Sequence, residues 1–150
     1  MDAVDGDWTR ERTEAFLESQ AIPVRLACHT PAGGLWMLSL WYRYRDGRLE
    51  CATGADAKVA RYLRNDPAVA FEVSTNDPPY RGVRGSGTAS LDPDEDKALL
   101  RSLLERYLGG TDTPIAERLL APEREEIRIS IDLERVYTWD FSDRMTPRES

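Results

Sequence analysis

Apolar residues recur along this chain at two spacings, and the switches between them mark its elements. From Trp8 to Ser19 the residues Trp8, Ala15 and Phe16, with the stem of Arg12, share one helical face. Asp7 is placed to cap that helix, and Ala21-Ile22-Pro23 to stop it, because proline disfavours helical backbone in the residue before it. From Val24 the period falls to two. Val24, Leu26 and Cys28 point to one side of a strand, and Pro31-Ala32-Gly33-Gly34 turns it. Leu35 to Tyr44, rich in aromatics, reads as one long strand; Asp46-Gly47 is a hairpin signal, and Arg48 to Thr53 is the returning strand.

A second helix follows, with Asp56 as its cap, Val59, Tyr62 and Leu63 on one face, and Asn65-Asp66-Pro67 at its end. Ala68 to Ser74 and Tyr80 to Leu91 read as strands around a polar turn at Asn76 to Pro79. Gly82, Gly85 and Gly87 in the second of them mark bulges or close approaches to the backbone. Asp92-Pro93 predicts a helix start, with a stripe from Leu99 through Leu108 ending at Gly109-Gly110; Thr113-Pro114 opens a shorter helix to Leu120. Ile127, Ile129 and Ile131 alternate in a strand from Glu126 to Leu133, and Arg135 to Phe141 is its partner or continuation. The sum is mainly β, about six strands with helices at the connections, and its short hairpin links exclude an all-parallel sheet. A small antiparallel barrel with flanking helices fits this order. Residues 1–150 form one expected domain, with the N-terminal helix within 1–21 and a polar, frayed tail at 142–150.

Composition narrows the function. The chain is 41% hydrophobic and 31% charged, ordinary for a globular protein, and no apolar run approaches the ~18 residues that cross a bilayer. Met1 to Arg12 is acidic and polar, unlike a secretory leader, so a cytoplasmic location is expected. A net charge of −7 argues against nucleic acid as a partner. All basic residues except Lys58 and Lys97 are arginine, which reads as the coding bias of a GC-rich genome. Cys28 and Cys51 lie in alternating apolar segments as small core residues, and His29, the single histidine, completes no zinc spacing. No metal site is expected.

The middle of the chain carries a more specific pattern. Ser39-Leu40-Trp41-Tyr42, Asp46-Gly47, Cys51-Ala52-Thr53, Lys58 and Leu63-Arg64-Asn65-Asp66-Pro67-Ala68-Val69-Ala70 stand in an order that resembles the pyridoxamine 5′-phosphate oxidase-like family. Tyr80-Arg81-Gly82-Val83, Gly87-Thr88-Ala89 and Val136 to Phe141 extend the resemblance, which covers Ile22 to Leu91 well and Ile127 to Phe141 loosely. It implies a six-stranded antiparallel split β-barrel with flanking α-helices. It also implies a homodimer holding FMN, or in some branches the deazaflavin F420, in a groove between subunits. Carried over, Leu38, Ser39, Leu40, Trp41 and Tyr42 would run along the isoalloxazine ring, Thr53 would offer its hydroxyl, and Lys58 would hold the phosphate. Arg81, Gly82 and Val83 would lie beneath the flavin, and Trp139 would close the ring edge. A helix N-terminus suits a phosphate, and Arg61, one turn beyond Lys58, would add a second charge. Trp36 and Tyr44 are left to packing.

Two departures from the family pattern shape the expectation. Where the family often places Ser-Arg before the lysine, this chain has Asp56-Ala57, so the missing cation must come from Arg61, Arg43 or Arg81. Tyr42 stands at the place of a substrate-binding lysine, and Asp140 to Ser150 lacks the arginine-rich ending, so authentic pyridoxamine phosphate oxidase activity is not expected. The resemblance implies an FMN-dependent oxidoreductase acting on a small molecule, with the hydride carried by the cofactor and no protein catalytic group identified. An F420-dependent reductase, with Arg43, Arg61, Arg64 and Arg81 lining a groove for the acidic tail, is one alternative. A non-catalytic flavin-binding or stress protein on the same barrel is another, and a haem protein ligated by His29 a distant third.

Overall fold

The structure, a computed structural model, describes residues 1 and 3–145. Its elements are β1 (Ala3–Gly6), α1 (Arg10–Ser19), β2 (Val24–His29), β3 (Leu35–Leu40), β4 (Arg43–Arg45), β5 (Arg48–Gly54), α2 (Lys58–Asn65), β6 (Ala68–Ser74), β7 (Arg81–Pro93), α3 (Ala98–Leu108), α4 (Pro114–Leu119), β8 (Glu126–Asp140) and α5 (Ser142–Met145). The long strand expected from Leu35 to Tyr44 is broken once, at Trp41-Tyr42, and this break shapes the whole sheet. Hydrogen-bonded neighbours run β3-β2-β6-β7-β8-β5-β4, so β3 and β4 lie at the two ends of the path. Two residues of chain join those ends. The sheet therefore curls into a barrel that is split between β3 and β4, antiparallel throughout except where β1 adds to β8 in parallel.

Tyr42 makes the break. Its ring is fully buried and its hydroxyl donates to Leu17 O at 2.8 Å, which turns the backbone out of the strand. The main-chain groups freed at the break are met from α3: Tyr107 Oη accepts from Tyr42 N at 3.2 Å, lies 3.3 Å from Tyr42 O, and donates to Ile22 O at 2.9 Å. Arg106 beside it donates to the carbonyls of Leu17, Glu18 and Gln20, three acceptors at the C-terminus of α1. One dipeptide of α3 thus ties the N-terminal helix to the seam of the barrel.

The core is built from alternating inward residues, among them Val24, Leu26, Leu49, Val73, Val83, Ile129 and Ile131, each with no exposed surface. In β8 the inward positions Ile127, Ile129, Ile131 and Leu133 are buried, then Val136 and Thr138; Glu126 and Ser130 are buried as well. The phase slips by one because Ser86 pairs with Arg135 and Gly87 with Leu133, leaving Glu134 as the extra residue of a bulge. Arg135 to Phe141 is therefore the continuation of the same strand. Gly85 and Gly87 serve close approach here: a Cβ on either would meet the carbonyl oxygen of Arg135 or Asp132 at 1.8 or 2.3 Å.

Several boundaries differ from expectation, each through local hydrogen bonding. Thr9, not Asp7, caps α1 by accepting from Arg12 N, while Asp7 accepts from Asp140 N across the β1–β8 junction. Asp56 is exposed, and Ala57 stands at the cap of α2 with no side-chain bond. Pro93 ends β7 instead of opening a helix. The cap moves to Asp94, whose carboxylate accepts from Leu99 N and Leu100 N, and α3 starts at Ala98. Among the described residues the strand count rises to eight because the acidic N-terminus supplies β1 and the central strand is cut in two. Ser142–Met145, expected to be frayed, form a short helix, and the rest of that tail, 146–150, lies outside the described residues.

Candidate functional site

The break at Trp41-Tyr42 and the end of β5 open on the same side, where α3 and α4 arch over them. Leu100, Leu104 and Ala116 form the core of this arch, packed on Trp41, Ala52 and Leu119. Beneath it lies a cavity of about 290 Å³ lined by Ser39, Leu40, Trp41, Thr53 and Gly54, with Leu100, Leu103 and Leu119 as its roof. Trp41 is held flat by Tyr107, the two rings stacked at 5.2 Å with 8° between their planes. Four of the expected site residues, Ser39, Leu40, Trp41 and Thr53, are thus brought together. Leu38 is half-buried against the core one pair of residues away. Tyr42 faces inward, not along the cavity; burial and the neighbouring Tyr107 push its hydroxyl well above the usual phenol range.

Four residues beyond Gly54 the chain enters α2. The amide groups of its first turn have no capping side chain to accept them, and Lys58, the first helical residue, is exposed beside them. Arg61 is also exposed and leans on Tyr62, its guanidinium 5.8 Å from the ring centre. The other cations expected to help are committed elsewhere. Arg43 donates to the buried Glu50 carboxylate at 3.0 and 3.1 Å and to Ser102 Oγ at 3.3 Å. Arg81 lies over the Phe16 ring at 6.0 Å. Of the four arginines expected to form a groove for an acidic tail, only Arg61 and Arg64 share a surface, that of α2.

Arg81, Gly82, Val83 and Trp139 occupy the opposite end of the barrel. Thr53 pairs with Ile127 at the start of β8, whereas Gly82 pairs with Trp139, twelve residues and roughly 40 Å of strand further on. Val83 is wholly buried in the core. Gly82 is required by packing, since a Cβ there would stand 2.5 Å from that of Ser74. Trp139 is half-buried under Arg84, 5.3 Å from its ring. Within one chain the two halves of the expected site do not meet.

Between those ends the outer face of the sheet carries a shallow groove of about 730 Å³, lined by Ala27, Met37, Ala70, Phe71, Val136 and Tyr137 with Arg25, Glu72, Arg84 and Glu134 at its margins. Met37, which lines it, is 62% exposed, and Leu35, two residues earlier on the same strand, is 84% exposed. Two further residues at the cavity were not expected from the sequence. Arg124 and Glu126 line it beside Gly54. They sit in the run Glu123-Arg124-Glu125-Glu126, whose charge reads as a solvated turn, and no periodicity distinguishes the one buried carboxylate. The cysteines are inert. Burial pushes the Cys51 thiol up to about 12 and, with Asp66 nearby, also raises that of Cys28; both are free. Among the described residues no cluster of three metal-ligating side chains occurs, and no helix is long and apolar enough to cross a membrane.

No family model matches the sequence, and no curated protein is similar to it at a significant level. Solved structures are similar over nearly the whole chain. A conserved hypothetical protein from Mycobacterium tuberculosis aligns with a TM-score of 0.76 and 26% identity, over 96% of this chain and 92% of that one. An F420 reductase aligns at 0.71 and 24%, over 85% and 98%. A candidate pyridoxamine 5′-phosphate oxidase from Listeria innocua aligns at 0.65 and 17%, over 85% and 95%. Weaker matches include an FAD-binding protein and haem-binding proteins. The chain has the pyridoxamine 5′-phosphate oxidase-like split-barrel fold, a fold whose members include flavin-, F420- and haem-binding proteins.

Proposed function

We propose that this protein is an FMN-dependent oxidoreductase acting on a small organic molecule in the cytoplasm, and that it works as a homodimer. The observation that carries the reading is the meeting of the β3 end and Thr53 in one cavity, with the uncapped first turn of α2 and Lys58 following directly. Uncapped amides and an exposed ammonium at a helix start suit a phosphate monoester, and a flat aromatic floor with hydroxyls at its edge suits a flavin ring. Bound FMN would supply hydride transfer. The chain itself contributes orientation: Trp41, held by Tyr107, sets the plane of the floor; Ser39 and Thr53 offer hydroxyls at its rim; Lys58 holds the phosphate; and the leucine roof of α3 and α4 excludes water.

The second copy explains two features together. The groove around Met37 and Tyr137 is apolar at its centre and charged at its margins, as interfaces are. Pairing through it would allow Arg81 and Trp139 of one subunit to approach the cavity of the other, which a single chain cannot do. Tight binding of added FMN by the purified protein, with a yellow spectrum and a thermal shift, supports the reading; absence of both overturns it. Replacement of Met37 by glutamate is expected to convert a dimer into a monomer in sedimentation analysis and to weaken FMN binding with it.

An F420-dependent reductase is the second reading, favoured by the 98% coverage of the F420 reductase structure. Against it, Arg43 and Arg81 are occupied elsewhere, so the basic groove for an acidic tail shrinks to Arg61 and Arg64. A side-by-side titration of FMN and F420 separates the two. Bound flavin that no nicotinamide or deazaflavin donor reduces would identify a non-catalytic carrier instead.

A further inference from the structure

The phosphate site as the sequence presents it is short of one cation, because Asp56-Ala57 stands where a second basic residue would be useful. The structure brings a different arginine to the same segment. The turn before β8 runs alongside the end of β5, with Ala55 N donating to Glu125 O at 2.8 Å and Gly54 paired with Glu126. This lays the Arg124 guanidinium against Gly54, with Nη2 3.8 Å from where a Cβ on that glycine would lie. Glu126 stands behind it, its side chain only 2% exposed against 44% for Arg124. The carboxylate accepts from Arg124 Nε at 3.3 Å and Nη2 at 3.2 Å.

A buried carboxylate that grips one edge of a guanidinium fixes the plane of the other edge. Two of the five N–H donors of Arg124 are spent on Glu126, and three are left over. The exposed member of the pair is the cation, so an arriving anion meets Arg124 and not Glu126. Both residues line the cavity that holds Thr53 and Trp41. Both also line a second cleft of about 870 Å³, which includes Ala55 and Arg64, and Arg64 Nη1 donates to Ala55 O at 3.3 Å. The backbone leading to the first turn of α2 therefore has Arg64 and Arg124 beside it, both from outside the 56–58 segment, in a cleft that also holds Asp94, Asp96 and Glu125.

We propose that Arg124 binds the phosphate group of the cofactor, supplying the cation that Asp56-Ala57 omits, and that Glu126 is the positioning residue that holds it there. The inference rests on the flavin reading above and adds to it the source of phosphate specificity. Arg43, held on Glu50, then has no part in the phosphate site.

The test compares FMN with riboflavin, which carries the same ring and no phosphate, by fluorescence titration of the dimer. The wild type is expected to prefer FMN, Arg124→Ala to lose about ten- to thirtyfold of FMN affinity with riboflavin affinity unchanged, and Arg124→Lys to recover part of the loss. Glu126→Gln is expected to reduce the FMN preference less than Arg124→Ala does, and Arg101→Ala, a change in the neighbouring cleft, to leave it alone. If Arg124→Ala unfolds because Glu126 is left buried without a partner, the double variant with Glu126→Gln removes that charge and gives the same reading. An unchanged FMN-to-riboflavin ratio in a folded Arg124 variant overturns the inference while leaving the flavin site intact. Failure of the wild type to bind either flavin overturns the flavin reading, and the inference falls with it.

Discussion

The two ends of this barrel use charge in opposite ways. At the far end, around Asp140, the polar groups satisfy one another: Asp140 accepts from Trp8 Nε1 at 3.1 Å, Arg12 Nη2 at 3.2 Å and Ser142 N at 2.9 Å. Thr138, wholly buried, accepts from Trp8 N and donates to Asp5 O, so β1 and the start of α1 are sewn to β8. At the near end, the first turn of α2 has no capping side chain, Lys58 at its start is exposed, and a cavity lies at the end of the strand that leads to it. Bonds within a cluster stabilise a fold; a helix start without a capping side chain leaves groups that a ligand can take. The same sheet carries both, and substitutions at the two ends should be read by different measurements.

The largest effect belongs to the closed end. Trp8 is 5% exposed and its ring sits 4.9 Å from that of Phe16, so Trp8→Ala is expected to cost about 3–5 kcal/mol, read from urea unfolding. Next comes Asp140→Asn. Partial burial raises the Asp140 pKa, but the hydrogen bonds from Ser142 and Trp8 and the charge of Arg12 outweigh it, so the carboxyl titrates below its ordinary range. A carboxylate with a depressed folded-state pKa stabilises above its unfolded value, near 3.9, and loses that contribution as pH falls through the folded value. The variant should therefore be less stable by about 1–2 kcal/mol at pH 7. The gap between the two unfolding curves should begin to close below about pH 4 and vanish only below the folded-state value, and a gap that does not narrow as the pH falls would contradict the assignment.

At the open end the readout changes. Lys58→Ala should weaken FMN about tenfold, near 1.4 kcal/mol, while leaving the unfolding free energy from urea titration within about 0.5 kcal/mol of wild type. A loss of stability equal to that at the closed end would erase the distinction between the two. The smallest effect sharpens it. Ala57→Ser supplies the missing cap of α2 and should raise the stability of the free protein by about 0.5–1 kcal/mol, measured by thermal unfolding.

The barrel was legible in the sequence because burial in a strand repeats every second residue, and β2 and β6 keep that rhythm. It was least legible where a single residue broke it. Glu134 shifts the phase of β8, and Tyr42 interrupts the central strand with an aromatic residue that looks like any other strand member. Caps were misplaced because Asp7, Asp56 and Asp92 are all good capping residues, and only the folded chain decides which carboxylate finds a helix start. At the site, Ser39, Leu40, Trp41 and Thr53 were legible from their order along the chain. Arg124 and Glu126 were not, because they reach the cavity through β5–β8 pairing across some seventy residues of sequence, inside a run of charges that local pattern treats as surface.

The hydroxyl of Tyr107 has a consequence for motion. It donates to Ile22 O and accepts from Tyr42 N, while Arg106 beside it holds the end of α1. The helical arch over the cavity, the first helix and the seam of the barrel therefore share one set of bonds, and none can open without disturbing the other two. In hydrogen exchange they should behave as a single cooperative unit, so that a molecule entering beneath the arch slows amide exchange as far away as the last turn of α1.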